Sequence, residues 1–337
     1  MNYIVKRTAQ AVFTVFAVIT LSFVIIRLLP GGPADYLRAQ LIQRSGGSLT
    51  QEQINQRIAS QTNIAVDEPL YVQYVDYMAS ILRGDFGTSV WYSNEPVIAV
   101  LGPAIPWTVF LMATSLFIAF VLGVTLGAFM AYREGSGFDV GSTGVSLLTN
   151  SVPYYVIALL LLTFLGYRME LFPTGGQYAS ETTPGLNLEF VLSALHHGAL
   201  PILSLVLASF GGWALNMRGN SIRVLGEDYL RVARLRGLPE RRIALRYVGR
   251  NAILPMYTGL LIAIGFMFGG SIILEEIFAY PGVGYYMIQA INARDYPVMM
   301  GAFILITVAV TIGVFIADVT YGWIDPRAEG GGTRESY

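Results

Sequence analysis

Six apolar stretches run through this chain, at residues 9–29, 104–132, 140–167, 199–217, 253–274 and 298–323. Each is close to or above the roughly 20 residues that a helix needs to cross a bilayer. No single water-soluble core accommodates six such runs. The composition agrees: 54% of the 337 residues are hydrophobic and 13% are charged, where a soluble domain carries about 25% charged residues. The mean hydropathy is +0.55. These observations predict an all-α integral membrane protein with six transmembrane helices.

What is missing narrows the chemistry. The chain has no cysteine, which excludes disulfides, thiolate nucleophiles and Cys-type zinc sites. Its two histidines, His196 and His197, are adjacent and cannot build a His-rich metal cage. Lys6 is the only lysine, so no phosphate-cradling Gly-Lys-Ser/Thr loop exists. If ATP drives anything here, another chain binds it. A net charge of −1 gives no global field for nucleic acid.

Between the first two runs lies a long polar excursion, residues 31–103. Thr50 with Gln53 three residues on is a capping-box signature. Tyr71, Tyr74 and Met78 recur at helical spacing, and the turn Arg83-Gly84-Asp85-Phe86-Gly87 follows. With Tyr77 and Trp91 these aromatics predict a small packed subdomain. The third run is interrupted by Asn150-Ser151-Val152-Pro153, where Pro153 removes an intrahelical hydrogen bond and predicts a kink. Asn150, Ser151 and Pro153, with Ser271 near the end of the fifth run, are the candidates for lining a path, since polar groups at depth need a cavity or a partner.

Arginines set the orientation. Lys6 and Arg7 precede the first run, which is long for a signal peptide and lacks a cleavage site, so it is read as a retained helix. Nine arginines fall in residues 218–251, whereas the loops after the third and fifth runs hold only Arg168 and Arg294. Both termini and the arginine-rich segment are therefore expected in the cytoplasm, with residues 31–103 outside. The domain plan is residues 1–30 as the first helix, 31–103 as an external subdomain, 104–323 as the transmembrane domain including the loop 218–251, and 324–337 as a cytoplasmic tail.

Within that loop, Tyr229, Val232, Ala233 and Leu235 form an apolar stripe at helical spacing. Asp228 sits near the helix start, where its charge suits the dipole. Gly237 and Pro239 punctuate its end. The arginines alone fit a topology signal or contact with anionic headgroups; an apolar stripe beside a glycine stop points to a partner surface.

The stretch Gly226 to Gly237, with Arg250-Asn251-Ala252-Ile253-Leu254-Pro255, resembles the cytoplasmic coupling loop of ATP-binding cassette importer permeases for oligopeptides, dipeptides, nickel and some saccharides. Arg231, Val232 and Ala233 stand where the general importer motif has Glu-Ala-Ala, and the spacing to Pro255 is longer. Leu28-Leu29-Pro30-Gly31, Gly84-Asp85-Phe86-Gly87-Thr88-Ser89, Ser151-Val152-Pro153, Glu276-Ile277-Phe278 with Tyr280-Pro281-Gly282-Val283-Gly284, and Asp325-Pro326-Arg327 extend the resemblance over nearly the whole chain. The long first loop is similar to that of the first of the two paired permeases.

The resemblance implies a non-enzymatic permease subunit in the cell membrane, forming half of a translocation path for peptides or a related small solute. It implies a second permease, two cytoplasmic ATPase subunits that hold ATP and magnesium, and an external solute-binding protein. The coupling residues would be Asp228, Tyr229, Val232, Ala233, Arg234, Leu235, Gly237 and Leu238. The alternative is a secondary transporter or channel without ATP coupling. That class calls for inverted repeats and midplane charge, and neither is visible here.

Overall fold

The computed structural model describes residues 3–28, 33–46, 48–64, 67–92, 94–239, 242–267 and 269–324. Leu29-Pro30-Gly31 of the first resemblance motif, the pair Glu240-Arg241 and the Asp325-Pro326-Arg327 motif lie outside them. Among the described residues five helices are long and apolar enough to cross a membrane: Ile4–Ile25, Val97–Tyr132, Leu188–Leu225, Arg246–Met267 and Tyr296–Thr320. Gly137–Ser151 and Tyr154–Arg168 pass together, bent by 93°, and taken as one broken span they make six. The chain is thus an all-helical, multi-pass membrane protein.

It divides into two compact units. The first comprises Met1–Thr108, Phe268–Glu276 and Pro281–Phe315. Here α1 (Tyr3–Leu28) is followed by α2 (Pro33–Ser45), α3 (Gln51–Thr62) and α4 (Leu70–Leu82). The capping box forms as expected, Thr50 Oγ1 accepting from Gln53 N–H and the Gln53 side chain accepting from Thr50 N–H. Ile19 and Phe23 of α1 pack on Tyr77 and Ile81 of α4, and Thr20 Oγ1 lies 2.8 Å from Tyr74 Oη. Of the four aromatics expected to pack, Tyr77 is buried and Tyr74 joins its cluster. Tyr71 and Trp91 are exposed instead, at 72% and 65%.

A second cluster in this unit joins α5 (Val97–Leu101) to later helices through Val97, Leu101, Val283, Ala290, Val298 and Ala302. The fully buried Asp295 anchors the turn before it, accepting from Ser89 Oγ at 2.5 Å and from Trp91 N–H at 3.0 Å.

The second unit comprises Val109–Met267, Ile277–Tyr280 and Ile316–Tyr337. It holds most of α6 (Ile105–Tyr132), then α7 (Gly137–Ser151), α8 (Tyr154–Leu161, continued as a π-helix to Arg168) and the 38-residue α9 (Leu188–Leu225). Beyond α9 come the short α10 (Asp228–Leu235) and, after a π-helical turn over Ile243–Gly249, α11 (Arg250–Met267). The remaining helices, α12 (Ile272–Ile277), α13 (Val283–Ala293) and α14 (Tyr296–Ile324), fall wholly or mostly in the first unit.

Several expected boundaries move, those of the fourth and fifth spans among them. The fourth span is longer at both ends than residues 199–217. At its start Asn187 Oδ1 caps the helix by accepting from Phe190 N–H at 2.8 Å, which draws the His pair into α9. At its end residues 218–225 belong to α9 rather than to the basic loop. The fifth span stops at Met267 rather than Leu274, because Gly270 takes a left-handed φ of +66°. The kink expected at Pro153 is present as a 93° break between α7 and α8.

Candidate functional site

α10 is built on two faces. Leu230 is 0% exposed and Ala233 is 4% exposed, and both pack on Ile243 and Val248 with Val224, Leu225 and Leu238 around them. Tyr229, Val232 and Leu235 lie on the other side, and Leu235 is 81% exposed. The stripe read from the sequence therefore divides. Ala233 belongs to the internal seat, and Leu230, which the stripe omitted, is that seat's most buried member. The signal for Leu230 was available in its three-residue spacing to Ala233, the separation at which helical side chains stack on one face.

The end of α10 is fixed by backbone geometry. Leu238 N–H donates to Ala233 O at 3.3 Å and Gly237 N–H to Arg234 O at 2.9 Å. Together with φ +71° at Gly237, this is a Schellman cap. Its accompanying apolar contact is made by Leu238 against the Leu230–Ala233 cluster. Asp228 occupies the first turn, at the positive end of the dipole. Asp228 and Arg234 are exposed. Asn251 Nδ2 donates to Tyr229 Oη at 3.0 Å and to Tyr247 O at 2.8 Å, so the two separated halves of the recognised segment meet in space. The surface that results is a short helix that leaves Val232 and Leu235 exposed among the described residues, with Arg231, Arg234 and Arg236 exposed beside them.

The path candidates fall in both units. Asn150, Ser151 and Pro153 stand together at the break between α7 and α8, all exposed. Ser151 Oγ donates to Leu147 O at 2.7 Å, and Asn150 lies beside Gly212 of α9. Ser271 belongs to the first unit, buried in the turn between α11 and α12.

Of the acidic pair after that turn, Glu275 lies inside the fold and Glu276 is half-buried. Glu275 is buried, accepting from Thr108 Oγ1 at 2.8 Å and from Tyr285 N–H at 3.1 Å, while Thr108 accepts from Val283 N–H at 2.9 Å. The carboxylate thus satisfies the first turn of α13, whose cap residue Gly282 has no side chain, and a Cβ on Gly282 would strike it. Burial pushes the Glu275 pKa up from the usual carboxylate value, and its hydrogen bonds oppose the rise. The glycines of the Tyr280–Gly284 motif make room for this cap.

A family model described as binding-protein-dependent transport system inner membrane component matches residues 123–330. A second, for the N-terminal part of such membrane components, matches residues 1–111. The chain is 33% identical to the oligopeptide transport system permease protein AppB of Bacillus subtilis, over 97% of this chain and 99% of that one. It is 31% identical to the dipeptide transport system permease protein DppB of the same organism, over 97% of each. It is 30% identical to the di/tripeptide transport system permease protein DppB of Pseudomonas aeruginosa, over 97% of this chain and 98% of that one.

Proposed function

Because the chain belongs to the family of binding-protein-dependent transport system inner membrane components, we propose that it forms one half of an ATP-driven importer for small peptides, worked through α10. The family makes it a membrane permease rather than an enzyme. Its assembly would comprise a second permease, two cytoplasmic ATPase subunits holding ATP and magnesium, and an external solute-binding protein. Peptides are the proposed cargo because the relatives matched over their full length are named as oligopeptide and dipeptide permeases. The arginine count supports an orientation with both termini and α10 on the cytoplasmic side and residues 31–103 outside, where they would face the binding protein.

One observation carries the reading: α10 is seated on its own chain by Leu230 and Ala233, yet keeps Tyr229, Val232 and Leu235 uncovered. A helix held on one side transmits force delivered to the other. ATP-driven closure of the ATPases would press on that face and bias the bundle between outward- and inward-facing states. Coupling of this kind needs contacts that differ between the two states.

The test is made in two arms. The purified chain alone is expected to bind no ATP in a titration with labelled nucleotide, since Lys6 is its only lysine. The complete complex in vesicles is expected to accumulate a labelled dipeptide only with ATP on the α10 side. Uptake by this chain alone, driven by an ion gradient, would establish the secondary-transporter reading instead.

A further inference from the structure

We propose that the ion pair between the buried Asp139 and the half-buried Arg218 is a strut that transmits motion of α10 to α7, making both side chains positioning residues for coupled transport. This rests on the importer reading.

The pair belongs to a repeating contact between α7 and α9. At Gly211 of α9 the two backbones touch: a Cβ there would lie 2.8 Å from Thr149 Oγ1 and 2.9 Å from Ser146 Cα. Seven residues further along α9 stands Arg218, and seven residues back along α7 from Ser146 stands Asp139. Seven residues are close to two helical turns, so the same two faces meet again about 10 Å away along the axes. There the contact is ionic. Arg218 Nε and Nη2 donate to the two carboxylate oxygens of Asp139 at 2.6 and 2.7 Å. A bidentate fork fixes orientation as well as distance.

Asp139 is held on its own side too. It is 2% exposed, its Oδ2 also accepts from Gly135 N–H at 3.0 Å, and its N–H donates to the cap residue Ser136. The carboxylate is thus part of the frame of the α7 start rather than a mobile counter-ion.

The position along α9 gives the pair its mechanical meaning. Only Gly226 and Glu227 separate α9 from α10, and both donate back into the last turn of α9. Val224 and Leu225 pack against the α10 seat. Displacement of α10 therefore reaches the end of α9 without a loop to absorb it. α7 packs along α9, most tightly around Gly211 and Gly212, and without the fork its end nearest α10 would be held to α9 by apolar packing alone. The fork, two turns nearer α10, adds a directional tie there and moves α7 with α9, and α7 ends at the break where Asn150 and Ser151 stand.

The experiment uses the complete complex in vesicles and measures peptide imported per ATP hydrolysed. Subunit assembly is followed by size exclusion. Asp139→Asn keeps the shape and loses the charge; Arg218→Lys keeps the charge and loses the fork. Both are expected to assemble and hydrolyse ATP while the import ratio falls roughly tenfold, within the range for linked sites. The chain has no native cysteine, so Asp139→Cys with Arg218→Cys can be bridged by a short bifunctional thiol reagent. The unbridged double variant is expected to be uncoupled and the bridged one to recover, which a role in stability alone does not produce. A parent-like ratio in Asp139→Asn, or a bridged variant that stays uncoupled, overturns the strut while leaving the importer reading intact. A parent complex without ATP-driven import overturns the importer reading and the strut with it.

Discussion

Leu235→Glu is expected to abolish assembly with the ATPase subunits while leaving the permease chain as stable as its parent. Leu235 is 81% exposed on the isolated chain, and surface substitutions of that kind change stability by about 0.5 kcal/mol or less. If the α10 face docks into an apolar groove, the same carboxylate is desolvated there without a partner. An unpaired buried charge costs on the order of 3–5 kcal/mol, a loss of two or more powers of ten in affinity. Co-purification of tagged ATPase with the permease reads the assembly, and thermal unfolding of the detergent-solubilised chain reads the fold. Ala233→Glu makes the contrast. Ala233 packs among Leu230, Ile243 and Val248, so its variant is expected to lower the unfolding temperature and yield of the chain itself. Normal assembly of Leu235→Glu would mean that the exposed edge of α10 is no docking surface.

Gly237→Val is expected to separate ATP hydrolysis from transport. A Cβ at Gly237 meets nothing within 4 Å, so the cost of substitution is conformational. Left-handed backbone costs a residue with a β-carbon roughly 1–2 kcal/mol, and valine is among the least tolerant. The seat of α10 is small, and it has little packing energy with which to enforce that strain. Once the cap relaxes, Leu238 leaves the Leu230–Ala233 cluster and the end of α10 is no longer fixed. The expected outcome in reconstituted vesicles is peptide-independent ATPase activity with uptake reduced about tenfold or more. Gly237→Asn is the control, because asparagine visits left-handed backbone readily; it is expected to transport at close to the parent rate. Parent-like coupling in the valine variant would remove the cap from the mechanism.

The features legible in the sequence are those set by local chemistry. Apolar run length gave six crossings, counting the broken pair once, and the Gly237 stop was readable because few residues other than glycine accept φ +71°. The Thr50–Gln53 box was likewise a local pattern with a local outcome. What escaped depends on tertiary partners. Arg218 was counted among topology arginines, since nothing in its neighbourhood names Asp139, 79 residues away, as its partner. The role of Glu275 was not legible, because hydropathy ignores a carboxylate that caps another helix. The division of the α10 stripe needed Ile243 and Val248 in place to show which side is covered. The 93° break exceeded the expected kink because Val152 is extended at φ −88°, ψ 124°, which ends α7 outright.

The docking face of α10 is tested most directly by a photoreactive phenylalanine analogue at Val232, on the exposed side of α10, in the complete complex in vesicles. Irradiation followed by mass spectrometry identifies what lies against that face. The expected product joins this chain to a cytoplasmic ATPase subunit, in a yield that changes when ATP is added. A product joining it only to lipid, or only to another part of this chain, would contradict an ATPase docked on α10.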